Sequence, residues 1–267
     1  EPSGWLAAQY GLFDRLVYSK AKEAMGLDRC TYMFSSAAPL SPSIADFFAG
    51  LGMQLLQLYG ESECTGVCAF NEPTKNRVGS VGSAVPGVEL AIADDGEILT
   101  RGPNVFLGYL RNPEATAEAL SDDGWLRTGD VGHIDDDGFL FITDRKKDII
   151  ITAGGENVTP SLIESALQTN PLIATVVVIG DQRPYLTALI SLDPEAAEGM
   201  STEEIQQSVQ EAVDQVNASS SRVRQLKKFA ILDEPLSIEH GELTPTLKVK
   251  RKVVRDHFAD EIEAMYG

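Results

Sequence analysis

The chain has 267 residues, 43% hydrophobic and 23% charged, with 40 acidic against 22 basic side chains and a formal net charge of −18. That composition supplies a folded core, and the negative excess argues against a general nucleic-acid binder, which needs clustered cations. No apolar run approaches the roughly 20 residues of a membrane span.

Residues 1–4 carry no basic region followed by an apolar leader. Together with the missing initiator Met, this start suggests a fragment. Cys30, Cys64 and Cys68 show neither metal nor disulfide spacing, so reduced thiols of a cytoplasmic protein are expected. The Asn-x-Ser/Thr triplets at Asn157 and Asn217 are then accidental.

Apolar residues at helical spacing (Leu12, Leu16 and Ala24; Phe13, Val17 and Ala21) predict an amphipathic helix over residues 6–25. A short strand over 31–34 ends at Ser35-Ser36-Ala37-Ala38-Pro39. Ser41 is expected to cap a helix that holds Pro42 in its first turn and runs to about Gly50. After Gly52 a strand over 53–58 stops at Tyr59-Gly60-Glu61-Ser62-Glu63. Strand, loop, helix, strand and loop make the unit of a parallel α/β sheet, whose ligands bind at the carboxyl ends of its strands.

From Val78 glycines recur between short β-type runs over 88–92 and 97–101, and Asp94-Asp95-Gly96 marks a tight turn. A small antiparallel sheet or barrel is predicted, then a short helix over 113–120. Residues 124–130, Gly-Trp-Leu-Arg-Thr-Gly-Asp, lead into a second hairpin that turns at Asp135-Asp136-Asp137-Gly138 and returns over 139–143. The three Asp lack the ligand spacing of a calcium loop.

Residues 144–160, DRKKDIIITAGGENVTP, join three cations to a β-branched run and a glycine pair. This junction suits an anionic ligand, with a solvated charge run as the plain alternative. Thr159 and Pro160 are expected to open a helix to Leu167. A hairpin pairs 174–179 with 185–192, and Ser201-x-x-Glu204 is a capping box for a helix with Ile205, Val209, Ala212, Val213 and Val216 on its apolar face. A strand over 228–232, a polar loop over 241–248 and a final helix from Val249 complete the chain. Residues 1–144 carry net −12 and the remainder −6. Lys248, Lys250, Arg251, Lys252 and Arg255 concentrate cations locally, as a small polyanion would require.

Four segments in this order resemble the adenylate-forming superfamily of acyl-CoA synthetases, luciferases and adenylation domains. They are residues 59–63, 125–130 and 144–160, and Lys248. The wording TAGGENVTP and LTPTLKVKR is similar to long-chain and very-long-chain fatty acyl-CoA synthetases. The resemblance implies a fold of α/β plus α+β class: a partial parallel α/β sheet domain with a small antiparallel β-barrel subdomain, followed by a small mobile C-terminal α+β domain. The expected organisation is a large domain over 1–144, divided into α/β (1–77) and β-rich (78–144) parts, a hinge at 145–147 and a small domain over 148–267.

The implied chemistry joins ATP and a fatty acid as acyl-AMP, releasing pyrophosphate, and CoA then displaces AMP. In that family Tyr59, with Gly60 beside it, stacks on adenine, and Ala37, Ala38 and Pro39 line the adenine slot. Ser62 meets phosphate and Glu63 holds Mg2+. Asp130 and Arg145 reach the ribose, Lys147 is the hinge and Gly154 faces the pantetheine tunnel. Lys248 contacts the α-phosphate. Each has a bland alternative: core for Tyr59, a turn for Ser62, solvated charge for the ionic residues, positive φ for Gly154.

The family's glycine-rich phosphate loop has no counterpart before Glu61; Ser35-Ser36 lacks its glycines and Lys. The chain is therefore expected to be the C-terminal portion of a longer ligase, inactive alone, cytoplasmic, with possible peripheral membrane contact. Two other readings stay open: a fatty acyl-AMP ligase that loads an acyl carrier protein, and a non-catalytic nucleotide-binding or interaction remnant.

Overall fold

The computed structural model describes residues 4–37, 40 and 42–267, leaving aside the side chains of Pro42 and Ser43. Ala38, Pro39 and the expected cap Ser41 lie outside the described residues. The chain divides into two compact units, Glu1–Thr143 and Asp144–Gly267.

In the first unit α1 (Trp5–Phe13) passes through a π-helical turn (Asp14–Tyr18) into α2 (Ser19–Ala24). The expected helix is present, but its apolar residues do not enter a core. None of its side chains is buried, and Leu12, Leu16 and Val17 are all at least half exposed. β1 (Met33–Ser35), α3 (Pro42–Gly50) and β2 (Leu55–Tyr59) form the α/β unit, with Met33 paired to Leu55 in parallel. β3 (Ala69–Phe70) and β4 (Ser83–Ala84) extend this sheet in antiparallel fashion. Gly82 makes the approach possible, because a Cβ there would lie 1.8 Å from the Phe70 carbonyl carbon.

β5 (Glu89–Ile92), β6 (Glu97–Arg101), β7 (Leu126–Ile134) and β8 (Leu140–Arg145) form a second sheet in that order, a curled antiparallel half-barrel. Between β6 and β7 lies α4 (Pro113–Ala119), capped by Asn112, whose Oδ1 accepts the Ala115 amide. The triple Asp is a hairpin turn. Arg77 pairs there with Asp135 and, at 2.6 Å, with Asp137. The core of this unit joins Tyr59, Cys64, Cys68, Ile98, Leu126 and Leu140.

In the second unit β9 (Ile150–Ile151) pairs with β10 (Asn157–Val158), and α5 (Pro160–Leu167) follows. Thr159 occupies the cap position but its side chain makes no capping bond. Asp144 does that work instead: its Oδ2 accepts the Ser161 amide at 3.2 Å. β11 (Ile173–Ile179) and β12 (Leu186–Leu192) form the expected antiparallel hairpin. α6 (Pro194–Ala197) and α7 (Thr202–Ala218) follow, and both bonds of the Ser201–Glu204 capping box form. β13 (Leu226–Ile231) then adds parallel to β12.

Because side chains alternate along a strand, Val176, Val178, Ala188 and Ile190 pack against Ile163 and Val209. Val177, Ile179 and Leu189 face the other way, toward Val254, Ile262 and Met265. The single expected C-terminal helix is two helices, α8 (Arg251–His257) and α9 (Ala259–Tyr266), separated at Phe258 with φ −107 and ψ 33. The break lets each helix present its own apolar side chain, Val254 or Ile262, to the sheet. No helix among the described residues is long and apolar enough to cross a membrane.

Candidate active site

Residues 59–68 form a compact turn at the end of β2. The Cys68 amide returns to the Tyr59 carbonyl at 2.9 Å and the Gly66 amide to the Glu61 carbonyl at 3.0 Å. Thr65 takes a left-handed φ of 58, and the Glu61 amide donates to Cys64 Sγ at 3.1 Å. Both Cys64 and Cys68 are free, buried thiols. Gly60 has no room for a side chain, since a Cβ would sit 2.2 Å from the Gly66 oxygen. Its requirement is therefore the fold of the turn itself.

Tyr59 is the last residue of β2 and only 7% exposed. Its hydroxyl donates to Asp130 Oδ2 at 2.7 Å, bringing together two residues that sequence reading assigned to one nucleotide. Burial, reinforced by the Asp130 charge, pushes the Tyr59 phenol far above its usual range. The tyrosine thus remains neutral and donating. Asp130, on β7, is itself buried.

Sequence reading missed a buried side chain on the neighbouring strand. Glu97, 4% exposed at the start of β6, accepts the Gly129 amide at 3.0 Å and Arg127 Nη1 at 3.2 Å. A carboxylate opening an apolar strand directly after a tight turn was the available signal.

Glu63 lies within the turn, half-buried, while Ser62 beside it is exposed. Glu63 Oε1 accepts the Tyr109 hydroxyl at 2.8 Å, and its carbonyl accepts the Phe106 amide at 2.7 Å. The bond to Glu63 raises the Tyr109 phenol above its ordinary value. No periodicity marked Tyr109. Among the described residues no three His, Cys, Asp or Glu form a metal-holding group. A lone oxygen ligand such as Glu63 still fits Mg2+, which keeps waters and takes phosphate oxygens for most of its shell.

In the second unit Arg145 ends β8 and Lys146–Lys147 enter a turn in which the Asp148 amide returns to the Arg145 carbonyl at 2.9 Å. Arg145 and Lys147 are exposed. Gly154 does not need positive φ; that conformation belongs to Gly155, at φ 79. A Cβ at Gly154 would meet nothing nearer than Thr152 Oγ1 at 3.8 Å. The second unit therefore does not itself demand glycine there.

Lys248 stands exposed on the loop before α8, with no side-chain partner among the described residues. Its neighbour in the basic cluster behaves differently. Arg251 turns inward to Glu164 at 2.6 Å, with Asp148 at 3.7 Å.

The AMP-binding enzyme family model matches residues 5–110, and that of the AMP-binding enzyme C-terminal domain matches 147–267. The chain belongs to the AMP-binding enzyme family. Among relatives, the long-chain-fatty-acid–CoA ligase FadD15 of Mycobacterium bovis is 45% identical over 282 residues, covering 100% of this chain and 47% of its own. The long-chain-fatty-acid–CoA ligase ACSBG1 of Rattus norvegicus is 37% identical, covering 96% and 41%. Among solved structures, the adenylation domain of a carboxylate reductase from Mycobacterium chelonae superposes with a TM-score of 0.79 at 26% identity, covering 100% of this chain and 42% of that one. The chain spans about half the length of the curated relatives it matches.

Proposed function

We propose that the chain supplies the ribose- and phosphate-facing part of an ATP-dependent long-chain fatty-acid–CoA ligase. The observation that carries this is the 2.7 Å bond between Tyr59 and Asp130. It joins two motif residues on separate sheets into one rigid, buried donor–acceptor pair. Asp130 accepts from Tyr59, and a carboxylate is also the type of group that accepts from ribose hydroxyls. Tyr59 then lines the adenine side, and the exposed Ser62 hydroxyl serves the phosphates.

Glu63 would hold Mg2+, whose charge offsets that of departing pyrophosphate. Tyr109 orients that carboxylate. Lys248, an exposed ammonium without an internal partner, stabilises negative charge developing at the α-phosphate. Arg145 serves the ribose and Lys147 acts as the hinge of a domain rotation. Gly154, free of any demand from its own unit, leaves passage for pantetheine.

Pyrophosphate release with ATP and palmitate tests this reading. These 267 residues alone are expected to turn over little, since they span about half of each curated relative. A full-length relative carrying the segment should lose activity on Asp130→Ala or Lys248→Ala. Full-rate turnover by either variant overturns the proposal. Offering CoA or a holo-carrier protein as acceptor identifies the second substrate, and CoA is expected from the names of the relatives.

A further inference from the structure

Lys248 occupies the return of a hairpin closed by the Leu243–Val249 bridge. Inside it the Thr244 amide donates to the Lys248 carbonyl at 2.8 Å, and the Lys248 amide donates to Thr244 Oγ1 at 3.0 Å. Leu247 takes a left-handed φ of 60 to make the turn. These local bonds shape the hairpin, and Leu243 and Val249 at its base pack against the apolar cluster that holds Val254 and Ile262.

The polar attachment comes from Glu242, 4% exposed although it stands in a polar loop. Its Oε2 accepts the Ser237 amide at 3.0 Å and its backbone carbonyl accepts the Lys250 amide at 2.7 Å. Its Oε1 lies 3.1 Å from His257 Nδ1 on α8; a carboxylate there can only accept, so Nδ1 carries the proton. One residue thus ties the start of the loop, the far stem of the hairpin and the following helix.

Burial works against the Glu242 charge, but the Ser237 amide, His257 and the nearby His240 outweigh it and hold the carboxyl below its ordinary range. A buried carboxylate is costly, and a solvent-facing hairpin does not need one. Lys248 is exposed within the hairpin, and its ammonium has no partner among the described residues.

We propose that Glu242 is the positioning residue of Lys248, anchoring its hairpin to α8 so that the ammonium is presented from a fixed base. This rests on Lys248 being the phosphate-facing cation. His257 is the far end of the anchor.

The test uses the 267-residue chain and adenosine diphosphopyridoxal, whose aldehyde ends a nucleotide phosphate chain. Its carbonyl condenses with a lysine amine, losing water. Borohydride then reduces the imine to a stable secondary amine that mass spectrometry maps. In the wild type, labelling should favour Lys248 over the exposed Lys227 and be suppressed by ATP.

Glu242→Ala should lower Lys248 labelling about tenfold and speed hydrogen exchange at the Thr244, Lys248 and Lys250 amides. Glu242→Gln, which keeps an oxygen for the Ser237 amide, should restore most of the labelling. Pyridoxal without a nucleotide should label all variants alike. If Glu242→Ala does not fold, His257→Gln decides, with a smaller fall expected. Equal Lys248 labelling in wild type and variants overturns the positioning role and leaves Lys248 in place. Wild-type labelling no faster at Lys248 than at Lys227 overturns the Lys248 assignment itself.

Discussion

Two glycines of the candidate site answer to different demands. Gly60 is excluded from bearing a side chain by the Gly66 carbonyl, so Gly60→Ala should cost about 1–3 kcal/mol, visible as a lower urea midpoint. Gly154 has no such neighbour in its own unit. Gly154→Ala should change stability by no more than about 0.5 kcal/mol and yet slow acyl transfer to CoA in an active full-length relative. Normal transfer in that variant would remove Gly154 from the pantetheine path. At Tyr59 the hydroxyl is the point of contact with Asp130. Tyr59→Phe should destabilise the first unit by about 1.5–3 kcal/mol, the range for a bond to a charged acceptor; an unchanged melting temperature would contradict this.

At the scale of elements, α5 and α8 are joined across the second unit by Glu164 and Arg251. Arg251→Met should cost about 3–5 kcal/mol, because it leaves a buried carboxylate without its partner. Burial lifts Glu164 above its ordinary 4.5 despite Arg251. The folded chain therefore holds that proton more tightly than the unfolded chain. The stability this contributes is full below pH 4.5 and is lost as pH rises through the raised value. Glu164→Gln should flatten that decline in urea titrations run from acid toward neutral pH.

What could be read in advance was what depends on neighbouring residues. β6 coincides with the expected 97–101 strand, and the Ser201–Glu204 box opens α7 where its spacing required. Tyr59, Glu63, Asp130 and Lys248 were legible as motif residues. Glu97, Tyr109 and the inward turn of Arg251 were not, because each owes its place to a partner far along the chain; Glu242 was not, because a carboxylate in a polar loop gives no sign of burial. Two-residue strands such as β3 and β10 are too short to show a period. The break at Phe258 coincides with no helix-stopping residue, and both helices pack on one face of the sheet.

At the scale of the whole molecule, the two units meet in sequence within residues 143–147, where the hinge is proposed. Lys147→Pro in a full-length relative fixes φ and removes an amide donor. It should leave acyl-AMP formation and acyl transfer differently affected, since rotation separates them. Unchanged rates for both half-reactions would refute the hinge.

A different consequence follows from the first helix and its surroundings. Trp5 is 75% exposed and Phe47 60%, with Leu6, Leu12, Tyr32 and Phe34 all more than half exposed in the same unit. A water-facing surface this rich in large apolar groups is sticky. The net charge of −18 opposes self-association only as far as its field reaches, about 10 Å at 0.1 M salt and about 3 Å at 1 M. The purified chain should therefore be dispersed in dilute buffer and turn cloudy as sodium chloride is raised. Colloidal stability, rather than folding, then sets the concentration at which it can be studied.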